Sequence, residues 1–594
     1  MTRQATSAWV RPVLWVVLVL VLTAAAGLVW WWLLPPWTAP DEPGHYLFAR
    51  LLAAPVGAAA SLESRSGVEA GILTSLAAHN WWGYNGRSHP ANLSSRFAGD
   101  PVLAASGDQA GGEPRLFYEL SAWLLRRMAA TTPSDLAEQL RRLRLGALVL
   151  HLLATLTVLV LSRLVWPGRP DRALGLGMLV GLLPMVGFVG VSFNNNALAL
   201  FWGALAFTLL LAAWLHKGAG VWLAALAVVA SGPLVVDPGL LYLWPLTLVL
   251  LAVRLLAVRP QTWPVFVVLL VSLCALLLPS PRWAAGWLSS PSVRPTRVRE
   301  RLALAPIAGK RAQIVQMIGG KETLALRGLP LRLEATTTGD PSSYVDVTLS
   351  DDMHALRLRC WSGLPCSGAF AADAAATFLL VAAKANEGEI GLALRLLDSS
   401  NRNILFNGDG RQPEMLGRPL FLSLERLLPL PDGFFSRAVS PAAWDTAAQL
   451  RYALFVVFTW ASFWGYYGWL TRPLPGPIYL LLAAATLAAA WGLLRRLPTA
   501  GQRWRRGDLS NEDQVLVLSL LALLFILVQT WLPMIGQAWQ PQGRYLFSAL
   551  LPIAILLLLG WEAVFPAMWQ RYFLPVLAAA LLALNLASWW VILP

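Results

Sequence analysis

Charge is what this chain has least of. Only 13% of its 594 residues are Asp, Glu, Lys or Arg, against about 25% in a soluble domain. Together with 57% hydrophobic residues and a mean hydropathy of +0.57, that scarcity excludes a single soluble enzyme. Cysteine is scarcer still, at three. Cys274 lies in an apolar run, whereas Cys360 and Cys366 lie in the one long polar region. That is too few for a metal cluster and enough for one disulfide, if the region faces an oxidising compartment. Also missing are a phosphate-binding Gly-rich loop, a zinc signature and a Ser or Cys triad motif, which argues against a nucleotide-driven pump or a protease.

Apolar runs and tryptophan are plentiful. Many of the 30 Trp stand near the ends of those runs, as expected of aromatics at two membrane interfaces. The net charge of +14 falls largely to arginines in short loops, where it orients a chain against the cytoplasmic face and anionic lipid. Membrane lipids, and no nucleic acid, are the partners this distribution implies.

The run 13–34 follows Arg3 and Arg11 with no acid nearby, so it reads as an uncleaved span heading outward. Residues 35–142 then form a large outer loop whose amphipathic stretch Leu116–Met128 suits the membrane surface. Further spans are expected at 143–165, 173–191, 197–215, 219–235, 238–257 and 263–280, then at 476–496, 513–532, 545–563 and 571–592. The segment Arg495–Arg506 holds five arginines and no acid and marks the cytoplasmic side. Reaching it from outside needs an odd number of crossings, so the aromatic run 450–470 is read as interfacial. The expected total is eleven spans with the C-terminus outside; a twelfth would place it inside.

Between 283 and 448 the texture changes. Leu331-Arg332-Leu333-Glu334-Ala335, Tyr344–Leu349 and Leu392–Leu396 alternate with period two, and Gly339-Asp340-Pro341 and Asn407-Gly408-Asp409-Gly410 punctuate them. Such a pattern predicts an antiparallel β-sandwich, jelly-roll-like in kind, inserted between a helical module at 1–282 and closing helices at 449–594.

Just after the first span the chain reads Pro40-Asp41-Glu42-Pro43-Gly44-His45. Prolines restrict the backbone, so these carboxylates are positioned, fit to accept a proton from a hydroxyl or to hold a metal. The alternative is a helix start in which Asp41 and Glu42 serve as caps.

With Glu113-Pro114-Arg115-Leu116-Phe117-Tyr118, Phe193-Asn194-Asn195-Asn196 and Gln542-Gly543-Arg544-Tyr545-Leu546-Phe547, this segment resembles the bacterial GT-C-type membrane glycosyltransferases, most closely the DUF2142 branch of membrane proteins. The pieces span almost all of the membrane part. The resemblance implies a GT-C-like fold and a plasma-membrane enzyme with its site and β-rich domain outside the cell. It implies transfer of a sugar from a polyprenyl-phosphate donor to a cell-envelope glycan, lipid or protein hydroxyl. Asp41 would be the base, with Glu42 supporting it. A divalent cation, magnesium or manganese, would sit on Asp41 and Glu42 if the enzyme uses one; metal dependence varies among such enzymes and stays open.

Arg544, with Tyr545 beside it and Arg115 assisting, would meet the leaving lipid phosphate, because guanidinium pairs bidentately with phosphate. The alternative for Arg544 is snorkelling to headgroups, and for Arg115 a plain surface cation. His45, Glu113, Tyr118, Asn194, Asn195 and Asn196 would line the substrate, the asparagines alternatively capping a helix. Two segments depart from the pattern: Glu113 and Arg115 stand where relatives carry Gln or Lys and a second Pro, and Val235-Val236-Asp237-Pro238 stands where they carry Lys. A lipid-linked glycan transporter and a non-catalytic glycan-binding scaffold are the other two classes the chain permits.

Overall fold

The computed structural model describes residues 2–53, 62–85, 97, 103, 106, 113–129, 135–216, 219–257, 302–304, 313–319, 326–338, 341, 343–351, 354–373, 378–385, 390–404, 446–506, 508–536 and 541–593. The chain divides into two compact units. Met1–Phe266, Phe458–Leu527 and Gln542–Pro594 make one, and Val267–Val457 with Val528–Pro541 the other.

The first unit is helical. Among the described residues seven helices are long and apolar enough to cross a membrane: Val13–Leu33, Leu136–Val160, Asn196–Leu215, Gly476–Arg506, Asn511–Thr530, Gly543–Val564 and Met568–Ile592. Pro170–Leu182 and Pro184–Val191 would make an eighth, bent by 57°. Gly220–Val236 and Pro238–Val253 coincide with two expected spans but are shorter. The expected span 263–280 lies outside the described residues. The run at 450–470 begins as a helix, Thr446–Gly465, and ends in a two-residue hairpin pairing Tyr466–Tyr467 with Arg472–Pro473.

The bend has a chemical cause and a chemical remedy. Pro184 has no N–H, so the carbonyl of Val180, four residues earlier, loses its helical donor. His151, from the helix α6 (Leu136–Val165), donates Nε2–H to that carbonyl at 3.0 Å. Asn585, on the last helix, donates to the Leu182 carbonyl at 2.7 Å and accepts from Trp30 Nε1 at 3.1 Å. In a membrane interior such freed groups must find partners inside the protein. His151→Leu and Asn585→Leu are therefore expected to cost about 1 kcal/mol each, read as earlier thermal unfolding of the purified protein. Unchanged unfolding in both would refute this account of the break.

Helices also approach closely. A Cβ on Gly492 would collide with the Gly560 carbonyl, and one on Gly560 with the Ala489 carbonyl, so these two glycines set the contact between Gly476–Arg506 and Leu550–Val564. The first of these helices extends past the expected span 476–496: it runs on through Pro498 to Arg506. Its 31 residues span about 46 Å, well beyond a hydrocarbon core of about 30 Å, and its basic residues gather in the last turns. Nearby, the buried Arg172 binds Glu562 through Nε and Nη2 and Glu512 through Nη1 at 2.7 Å. One guanidinium thus ties three helix ends together.

Among its described residues the second unit holds eight strands: β1 (Leu302–Leu304), β2 (Gln313–Gly319), β3 (Pro330–Thr338), β4 (Tyr344–Ser350), β5 (Ala355–Trp361), β6 (Pro365–Ala371), β7 (Phe378–Ala385) and β8 (Ile390–Leu397). They form two antiparallel sheets ordered β1-β8-β3-β6 and β2-β7-β4-β5. This is the wiring of a jelly roll, with successive strands mostly alternating between sheets. The expected period-two stretches fall on β3, β4 and β8. Leu331, Leu333, Val345, Val347, Leu349, Leu392 and Leu396 point into one core with Phe370, Leu379 and Val381. Cys360 on β5 and Cys366 on β6 are joined by a disulfide with Cα atoms 5.6 Å apart, linking the edge strands of the two sheets.

Candidate active site at one end of the helical unit

The first span ends at Leu33, and the chain turns through Pro35, Pro36 and Pro40 into α2 (Glu42–Ala53). Asp41 stands at the start of that helix with φ +65°, a conformation that among residues with side chains Asp and Asn tolerate best. Its carbonyl accepts from His45 N–H at 3.0 Å, the first helical bond, and from Ser106 Oγ at 3.1 Å. Asp41 thus begins the helix with its backbone and keeps its carboxylate for something else.

That something is Arg544, 503 residues away. Its Nη2 donates to Asp41 Oδ2, and the two side chains are only 5% and 12% exposed. Gly543 makes this possible. A Cβ there would overlap the backbone of Ser462 and Phe463, and its N–H donates to Ser462 Oγ at 2.7 Å. Arg544 also lies 5.4 Å from the Tyr545 ring centre, and its buried Nε has no hydrogen-bond partner among the described residues.

The adjacent carboxylate has a different fate. Glu42 takes Arg144 in a bidentate pair, Nε to Oε1 at 2.8 Å and Nη2 to Oε2 at 2.7 Å, with neither side chain exposed. Arg144 also donates to the carbonyls of Leu34 and Pro35, and Phe193 N–H donates to Glu42 Oε1. Every Glu42 oxygen is therefore committed to holding the end of the first span, α6 and the asparagine turn together. A metal ion does not fit here: Glu42 is taken, Asp41 faces a guanidinium, and among the described residues no group of three or more His, Cys, Asp or Glu side chains is placed to hold one.

Beside Asp41 runs a chain of three polar groups. His45 Nδ1 meets the Tyr118 hydroxyl at 2.7 Å, and that hydroxyl donates to Glu113 Oε2 at 2.6 Å. The two rings stack with centres 5.8 Å apart, and α5 (Leu116–Ala129) carries Tyr118 on its buried face with Phe117. Burial, with the Asp41 and Arg544 charges acting in opposite directions, lowers His45 to about 4, so the imidazole is neutral at pH 7. Burial also pushes Glu113 up to about 8, helped by the charge of Asp237. Asp237 itself is raised to about 6 by burial, against the Gly239 N–H and Arg544. It stands where a π-turn, Gly232–Val236, ends one short helix, and it accepts from Asn195 Nδ2 at 2.6 Å and Gly239 N–H at 2.5 Å.

Of the residues singled out in the sequence, Asp41, His45, Glu113, Tyr118, Asn195, Arg544 and Tyr545 therefore come together in one buried cluster. Glu42 sits next to it in a separate ion pair. Asn194 caps: its Oδ1 accepts from the N–H of Asn196, the first residue of the helix Asn196–His216, at 3.0 Å, while its Nδ2 is buried without a partner among the described residues. Arg115 is exposed, and its carbonyl accepts from Glu119 N–H. Asp237, seen in the sequence as a departure, is a full member of the cluster. Arg144 escaped notice, although an arginine within the first turns of an apolar span is itself a signal of a buried partner.

No protein-family model and no curated protein sequence matches this chain. Its chemistry is read from the cluster alone. The cluster places one carboxylate against a buried guanidinium, beside a neutral histidine and two carboxyls of raised pKa, so groups able to accept a proton and a group able to pair with an anion stand together.

Proposed function

We propose that the protein is a membrane glycosyltransferase that moves a sugar from a polyprenyl-phosphate donor to a hydroxyl of a cell-envelope acceptor. The observation that carries this reading is the Asp41–Arg544 pair, in which the buried Arg544 Nε has no hydrogen-bond partner among the described residues. A donor phosphate competes for Arg544 and frees the Asp41 carboxylate. Asp41 then takes the acceptor hydroxyl proton, the acceptor oxygen bonds to the anomeric carbon, and the bond from that carbon to the phosphate oxygen breaks. The charge left on the phosphate stays on Arg544. In-line attack inverts the anomeric centre.

In this reading the cluster and the jelly roll lie on the outer side of the plasma membrane, where a Cys360–Cys366 disulfide persists. The jelly roll serves the acceptor glycan. Transport is the weaker reading. Its best support is the broken span at Pro184, yet the carbonyls there are taken by His151 and Asn585 and do not need a substrate.

The test is binding of polyprenyl phosphate to the purified full-length protein in nanodiscs. Arg544→Gln should weaken it at least ten-fold, about the 1.5–3 kcal/mol of one charge-assisted contact. Equal binding by wild type and variant removes Arg544 from the donor site.

A further inference from the structure

We propose that Glu113, Tyr118 and His45 form one proton path, with Glu113 as its terminal acid and His45 Nε2 as the end that serves Asp41. The geometry allows two complete arrangements that differ by one proton, two hydrogen atoms along the path in the first and three in the second. With Glu113 ionised, Tyr118 O–H donates to Glu113, His45 Nδ1–H donates to Tyr118, and Nε2 carries a lone pair. With Glu113 neutral, its O–H donates to Tyr118, Tyr118 O–H donates to Nδ1, and Nε2 carries the proton. Both contacts are short, 2.7 Å and 2.6 Å, and His45 Nδ1 lies 4.0 Å from Glu113 Oε2. Burial keeps the imidazole neutral, so it acts by exchanging one nitrogen-bound proton for the other.

The atoms balance. A proton arriving at Nε2 is matched by the Nδ1 proton leaving for the Tyr118 oxygen, and by the Tyr118 proton leaving for Glu113 Oε2. No bond between heavy atoms changes, and Glu113 passes the proton it receives to water. His45 lies one helical turn from Asp41, whose carbonyl accepts its N–H. The charges facing the path are Asp41 and Arg544 at His45, Glu113, Asp237 and Asp41 at Tyr118, and Asp237, Asp41 and Arg544 at Glu113. The two raised carboxyls repel each other's charge, so ionisation of Glu113 is the costly step and sets the direction.

The role of the path in turnover rests on Asp41 being the base; its existence does not. The experiment follows the 15N signals of His45 by NMR in the full-length protein in nanodiscs, assigned by loss in His45→Gln, from about pH 6 to about pH 9. His45 is expected to stay neutral throughout and to convert from the Nε2–H to the Nδ1–H tautomer as pH rises through about 8. Tyr118→Phe, which keeps the ring and removes the hydroxyl, should abolish that conversion, as should Glu113→Gln. One tautomer at every pH in wild type, a charged imidazole near neutrality, or a conversion that survives Tyr118→Phe would each overturn the path. Where sugar transfer is measured, its rate should climb through the same pH and lose that limb in Glu113→Gln. A wild type that transfers no sugar but shows the conversion refutes the enzyme reading and keeps the path.

Discussion

Asp41→Asn is expected to abolish sugar transfer while the protein still folds and inserts. Loss of a general base costs about 10²–10⁴-fold in rate. Asparagine is the informative substitution here for two reasons. It tolerates the positive φ of +65° at this position, and its side-chain oxygen can still accept from Arg544 Nη2. Asp41→Ala would confuse lost chemistry with backbone strain and an unpaired buried guanidinium. The measurement is transfer from a polyprenyl-phosphate sugar by the purified variant, beside its thermal unfolding. Full activity in Asp41→Asn would end the assignment of the base.

The residue next to it predicts the opposite pattern. Glu42→Gln leaves Arg144 charged at a site where neither side chain is exposed, and breaking a buried pair in this way costs about 3–5 kcal/mol. The loss should appear as a large drop in unfolding temperature and in the amount of inserted protein. Replacing both partners, Glu42→Gln with Arg144→Met, removes the stranded charge and should recover part of it. Glu42 also accepts from Phe193 N–H, so the asparagine turn and its contact with Asp237 should loosen too. If Glu42→Gln unfolds like wild type, the pair is not what holds the first span to α6.

These two predictions separate adjacent carboxylates that are indistinguishable in the sequence. Pro40-Asp41-Glu42-Pro43 showed that two acids are held stiffly at the end of a span, because proline acts locally. Which acid meets which arginine depends on Arg144 and Arg544, 102 and 503 residues away. Spacing carries no record of such distances. Asp237 is similar. Its raised pKa and its bond to Asn195 arise from burial among groups on four other segments, so in the sequence it stood out only as the wrong residue for a resemblance.

Elsewhere local rules reached further. Period-two alternation located β3, β4 and β8, since side chains of a strand alternate in any sheet. Their order across two sheets followed from long-range pairing that the alternation does not encode. Uninterrupted hydropathy marked 173–191 as a single span, and the structure bends it at Pro184. Pro184 was visible as a residue; that His151 and Asn585 would satisfy the carbonyls freed around the break was not.

By itself, then, the sequence determined that this is a chain of apolar helices with an inserted β region, and that its few charges gather at span ends. Hydropathy and periodicity are sums over neighbours along the chain, and both survive without any knowledge of the fold. Only the tertiary structure decided that five such span ends and loops meet in one place. There, burial turns Glu42 into a brace, pairs Asp41 with Arg544, and holds His45 neutral. The strength of a charge depends on what has been packed around it.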